Sequence, residues 1–166
     1  MPQILLVSDS SVLFDLERGG LLPLAFKSNM TMVVPDLLYD RELAPYNGPY
    51  YRELGLLVVT LSPEEISFAQ EVSSNHNALS LPDCFALACA TRPKHVLLTS
   101  DGTLRIVAEK RGVARHGLLW LLDRMAEAHA DSLATLHEGL TKISTHPRSR
   151  QPVSEVRERL LRWSAK

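Results

Sequence analysis

Apolar and polar positions fall in alternating blocks along the chain. Gln3-Ile-Leu-Leu-Val-Ser is a short unbroken apolar run that stops at Asp9, the pattern of a strand covered on both faces of a parallel sheet. Ser10 to Arg18 then carries Val12, Leu13 and Leu16 at helical spacing and halts at Gly19-Gly20. A second run, Met30 to Val34, ends at Pro35, which suits the first turn of a helix reaching Leu43. Tyr46 to Tyr51 reads as loop and Gly55 to Leu61 as a third strand. Ser62-Pro63-Glu64-Glu65 has the form of a capping box and opens a helix to about Ser74. Ser80 and Pro82-Asp83 open an Ala- and Leu-rich helix ending near Thr91. His95 to Thr99 is a fourth strand, Asp101 starts a helix that stops at Gly112, and Val113 to Arg115 reads as a brief fifth strand. Beyond Gly117 only helical patterns remain: Leu118 to His129, Asp131 to Ile143 and, after a linker over 144–152, Ser154 to Trp163.

Strands separated by helical stretches of this length require crossovers, and crossovers make the sheet mostly parallel with helices on both faces. The fold class is therefore α/β. The sequence divides into one domain over 1–143 and a linker with a basic C-terminal helix over 144–166. A chain of 166 residues has room for one domain with a core of its own, and 45% hydrophobic content supports one. The net charge of −1 excludes a uniformly basic nucleic-acid binder, so any such role must rest on local charge. The tail after Ile143 supplies it, with six Lys or Arg against two Glu. Its Arg148, Arg150 and Arg157 are candidates for contact with a nucleic-acid backbone, although a solvated helical face explains them more simply. Cys84 and Cys89 have neither the spacing of a zinc site nor that of a disulfide, and no apolar run is long enough for a membrane span. A cytoplasmic location without membrane attachment is expected.

Ligands of open parallel sheets collect beyond the carboxyl ends of the strands. Asp9 and Asp101 follow two such strands directly, and Asp83 opens a helix that packs on the sheet. A fourth carboxylate comes from Asp40 or Glu42, whose spacing puts them on different faces of one helix, so only one of them reaches the site. Helix capping accounts for any one Asp alone. The set together is better explained by a hard cation, Mg²⁺ or Mn²⁺, that offsets the crowded charge. Ser11 and Thr99 stand two residues from Asp9 and Asp101, where hydroxyls orient carboxylates. Splayed side chains, or an arginine holding one of them, would count against this arrangement.

Ser8-Asp9-Ser10-Ser11-Val12-Leu13, the helix from Pro35 to Leu43, Leu79-Ser80-Leu81-Pro82-Asp83, and Leu98-Thr99-Ser100-Asp101 with Gly112-Val113 resemble the successive motifs of PIN-domain nucleases, in order, over residues 3 to about 122. His116-Gly-Leu-Leu-Trp-Leu-Leu-Asp-Arg-Met resembles a glycine-leucine helix found in one branch of that superfamily. The resemblance implies a three-layer α/β/α sandwich and metal-dependent hydrolysis of RNA, with Asp9, Asp83 and Asp101 as metal ligands. Asp40 or Glu42 would be the further catalytic acid, and Ser11 and Thr99 the supporting hydroxyls. It further implies single-stranded RNA as substrate, a homodimer, and a toxin role with an antitoxin protein as partner, as in VapC-type toxins. One departure stands out: Gly102 and Thr103 follow Asp101 where many relatives carry another Asp. That leaves a second metal less securely held and favours, as an alternative, a PIN-fold binding module with weak or no catalysis.

Overall fold

The computed structural model describes residues 4–164. In chain order the elements are β1 (Leu5–Ser8), α1 (Ser10–Arg18), α2 (Leu22–Phe26), β2 (Thr31–Pro35) and α3 (Asp36–Leu38), which runs on into a π-helical turn, Tyr39–Leu43. Next come α4 (Gly48–Leu54), β3 (Leu57–Val59), α5 (Pro63–Asn75), α6 (Leu81–Ala90), β4 (His95–Leu98), α7 (Gly102–Lys110) and β5 (Arg115–His116). The chain then continues through α8 (Leu118–Ala128), α9 (Leu133–Thr145) and α10 (Val153–Ser164).

The strands form one five-stranded parallel sheet in the order β3-β2-β1-β4-β5. Helices flank the sheet, as the α/β/α reading requires. The chain winds outward from β1 in one direction through β2 and β3, then returns to place β4 on β1's other edge. That reversal opens a crevice between the carboxyl ends of β1 and β4.

Central strands are apolar because they face helices on both sides: Leu6, Val7, Met32, Val33, Val34, Leu97 and Leu98 are all buried. Helix α6 is buried almost all round, with Cys84 and Phe85 through Ala90 in the core, and its small residues let it lie close over the sheet. The two cysteines are free, and burial pushes both thiols up to about 11, so they behave as small apolar side chains. Ser62 and Glu65 form the expected capping box, and Glu65 also takes the Arg92 guanidinium in a two-pronged ion pair that ties α5 to the end of α6.

Several sequence expectations need correction. Tyr46 to Tyr51 is not all loop: α4 begins at Gly48, and Tyr51 is buried with its hydroxyl donating to Glu17. The apolar stretch from Leu21 folds into the short helix α2, which the glycine pair hid. The third strand is only Leu57–Val59, and the fifth comprises Arg115–His116 rather than beginning at Val113. The apolar face of α8 belongs to the core, with Leu118, Leu119, Leu121, Leu122 and Met125 buried. Helix α10 lies against α9 with Val156 and Trp163 buried, and Arg159 makes a paired contact with Asp123 of α8. Among the described residues no helix is long and apolar enough to cross a membrane.

Candidate active site

Asp9 occupies the crevice between β1 and β4. Its backbone N–H donates to the Leu98 carbonyl at 3.0 Å, and its side chain caps α1 by accepting from the Val12 N–H at 3.0 Å. Ser11 Oγ donates to the same carboxylate oxygen at 2.9 Å, and Thr99 Oγ1, at the end of β4, donates to the other. The two hydroxyls anticipated beside the carboxylates therefore both serve Asp9. Thr99 also accepts from the Asp101 N–H at 3.0 Å, so one hydroxyl joins the two strand ends. Asp9 is only 3% exposed. Burial raises its pKa from 3.8 to about 6, the three hydrogen bonds pull it partly back, and the charge of Asp83 adds to the rise.

Glu42 belongs to the same group. The π-helical turn inserts extra backbone into the register of α3 and leaves Asp40 exposed while Glu42 is half-buried. Ser10 Oγ, in the first turn of α1, donates to Glu42 Oε1 at 2.9 Å. Burial raises the Glu42 pKa, the Ser10 bond lowers it, and Asp83 raises it again. Of the two carboxylates offered by this helix, Glu42 faces the surroundings of Asp9 and Asp83 and Asp40 faces solvent. Ser10 went unnoticed in the sequence; its place just after a strand-end Asp was the available signal.

Asp83 closes a capping box on α6. Its N–H donates to Ser80 Oγ and one carboxylate oxygen accepts from the Ser80 N–H, both at 3.2 Å. The other oxygen has no hydrogen-bond partner among the described residues. Capping and a shared site are thus not rival explanations: the caps hold Asp9 and Asp83 at the same end of the sheet.

Asp101 stands apart. One oxygen caps α7 through the Leu104 N–H at 3.0 Å, and the other faces Arg150 of the C-terminal segment at 3.3 Å. Its occupation by an arginine weighs against it as a metal ligand in this arrangement. Arg150 is accordingly turned toward a carboxylate, whereas Arg148 lines hollows of mixed charge with Phe14, Arg18, Asp15 and Glu17, and Arg157 is exposed on α10.

The donor set Asp9, Glu42 and Asp83 suits a hard cation in kind, since all donors are carboxylate oxygens and none of the three has an ion-pair partner among the described residues. Their side chains are not drawn into a finished coordination shell: no three Asp, Glu, His or Cys side chains among the described residues lie close enough to hold an ion.

A parallel sheet in the order 3-2-1-4-5, with a buried Asp at its switch point and acidic caps beside it, defines a PIN-like α/β/α sandwich. A family model described as DUF3368, PIN domain, matches residues 5–162, and the chain belongs to the PIN-domain family, whose members are generally nucleases. A search of curated proteins returns no significant match to the chain.

Proposed function

We propose that the protein is a divalent-metal-dependent ribonuclease that cuts single-stranded RNA at the carboxylate group of Asp9, Glu42 and Asp83. The observation that carries this reading is positional. Carboxylates from three distant stretches of chain stand at one end of the sheet, Asp9 and Glu42 held there by hydroxyls and Asp83 by its capping box. Burial raises the proton affinity of Asp9 and Glu42 and the charge of Asp83 adds to it, a cost that a bound cation offsets. Asp9, Glu42 and Asp83 would hold Mg²⁺ or Mn²⁺, which when bound lowers the pKa of a water and offsets charge on a phosphodiester. The chain's own part is positioning. Thr99 and Ser11 fix both oxygens of Asp9, Ser10 fixes one oxygen of Glu42, and the capping box fixes Asp83. The other oxygens of Glu42 and Asp83 remain available to accept a proton from a nucleophile or to meet a cation.

Cleavage of a single-stranded oligoribonucleotide in Mn²⁺ tests the proposal. Asp9→Asn and Asp83→Asn should each lower the rate by about a hundredfold, the scale expected when a positioned catalytic group is lost. Equal cleavage by the variants rejects the site. A second reading, a PIN-fold nucleic-acid-binding module with little catalysis, is favoured by one feature, the Arg150 side chain held by Asp101. RNA binding without cleavage at millimolar Mn²⁺ would select it. A toxin role and an antitoxin partner rest on resemblance alone; growth arrest on induced expression, relieved by the product of an adjacent reading frame, is their test.

A further inference from the structure

We propose that the cleft between β5, the start of α8 and the C-terminal segment holds a phosphate group of the bound nucleic-acid strand, beside the carboxylates rather than at them. The cleft has a volume of about 320 Å³, near the lower end of the roughly 300–1,000 Å³ usual for ligand sites. Thr99, whose hydroxyl donates to Asp9, also lines the cleft and is the wall the two share.

Its charge is one-sided. Arg105, Arg115, Arg150 and Arg159 line it, opposed within the lining only by Glu155. Three of these cations already have a carboxylate: Arg159 has Asp123 at 2.8 Å, Arg115 has Glu109 at 3.1 Å and Arg150 has Asp101 at 3.3 Å. Arg105 and Arg115 nevertheless keep donors to spare. Arg105 has no ion-pair partner among the described residues, and Arg115 spends one terminal nitrogen on exposed Glu109 while its Nε is buried without a hydrogen-bond partner. A buried guanidinium N–H left unpaired is costly, and a phosphate oxygen is a good partner for it.

The backbone adds to the same field. Helix α8, eleven residues long, begins at Gly117 with no side-chain cap and no acidic residue in its first turn, so its positive end opens toward the cleft. His116 lies in the same surroundings: burial first, and then the charges of Arg124, Arg115 and Arg105, lower its pKa. Its ring stacks on Trp120 at 4.1 Å, which makes Trp120 a reporter of anything entering the cleft. Only the identity of the ligand, a nucleic-acid strand, rests on the nuclease reading; the anion site itself does not.

The test separates the two. A short labelled oligouridylate is titrated into the full chain in EDTA, so that no cleavage intrudes, with fluorescence anisotropy as readout and the emission of Trp120, followed in a Trp163→Phe background, as a second. Arg105→Gln with Arg115→Gln should weaken binding about tenfold and flatten the dependence of log Kd on log salt by about one unit. Inorganic phosphate should compete. Arg105→Gln alone, at an exposed position, should show part of both effects and guards against misfolding of the Arg115 variant. Unchanged affinity and salt slope overturn the proposal. Arginine-dependent binding of inorganic phosphate with no oligonucleotide binding overturns the assignment to a strand. Intact binding without Mn²⁺-dependent cleavage would instead overturn the nuclease reading alone.

Discussion

Asp9 is the residue on which the site turns, and its own energetics argue for a purpose beyond capping. The folded chain binds its proton more tightly than the unfolded chain does, with a pKa of about 6 against 3.8. Ionised Asp9 therefore costs stability, fully above about pH 6 and progressively less as pH falls toward 3.8, by roughly 3 kcal/mol at most. A cap alone does not require a buried charge, since asparagine caps a helix as well. Asp9→Asn keeps the acceptor for Val12 and Ser11 and offers an amide that the Thr99 hydroxyl can accept from by rotating. The variant should therefore unfold several degrees higher than the natural chain at pH 7.5 in EDTA and lose that advantage near pH 4, as followed by thermal circular dichroism. A variant less stable at every pH would show the carboxylate to be structural.

At the scale of elements, much of the architecture was legible because the local signals agreed with one another. Unbroken apolar runs ending in Asp marked β1 and β4, and the Ser62 and Ser80 caps marked α5 and α6. What escaped depended on contacts between distant parts of the chain. The π-helical turn that sorts Glu42 from Asp40 leaves no mark in a spacing pattern, and α4 forms where Tyr51 finds Glu17 across 34 positions. The candidate site divides in the same way. Asp9, Asp83, Ser11 and Thr99 could be picked out by their places at strand ends and helix starts, whereas Ser10's bond to Glu42 and Arg150's hold on Asp101 join residues 32 and 49 apart. Close helix packing was equally hidden. Gly139 of α9 faces the turn between α1 and α2 so closely that an added Cβ would fall 2.6 Å from Leu21 Cδ1, and one on Gly19 would fall 2.8 Å from the Gly139 carbonyl. Gly139→Ala should accordingly cost about 2 kcal/mol in urea unfolding, through overpacking; a neutral effect would show that Leu21 yields freely.

For the whole molecule, the C-terminal segment is part of the site's surroundings. It leaves α9 at Thr145, passes beside α1 and the end of β4, puts Arg150 on Asp101 and Gln151 on Ser100 at 3.1 Å, and returns as α10 against α8 and α9. The family match likewise runs through this segment to residue 162. Acidic and basic sites thus meet at one wall, with the carboxylates on the side of β1 and the arginine-lined cleft on the side of β5. If Asp101 joins the other carboxylates only when its arginine is removed, Arg150→Ala should bind metal at least as well as the natural chain. Calorimetric titration of Mn²⁺ into the natural chain and into Glu42→Gln, in the absence of RNA, is the most direct trial of the account. It predicts binding by the natural chain at millimolar Mn²⁺ or below and an affinity about tenfold weaker in the variant, the usual scale for losing a ligand or its support. No heat of binding from the natural chain, or the same affinity in both, would contradict it.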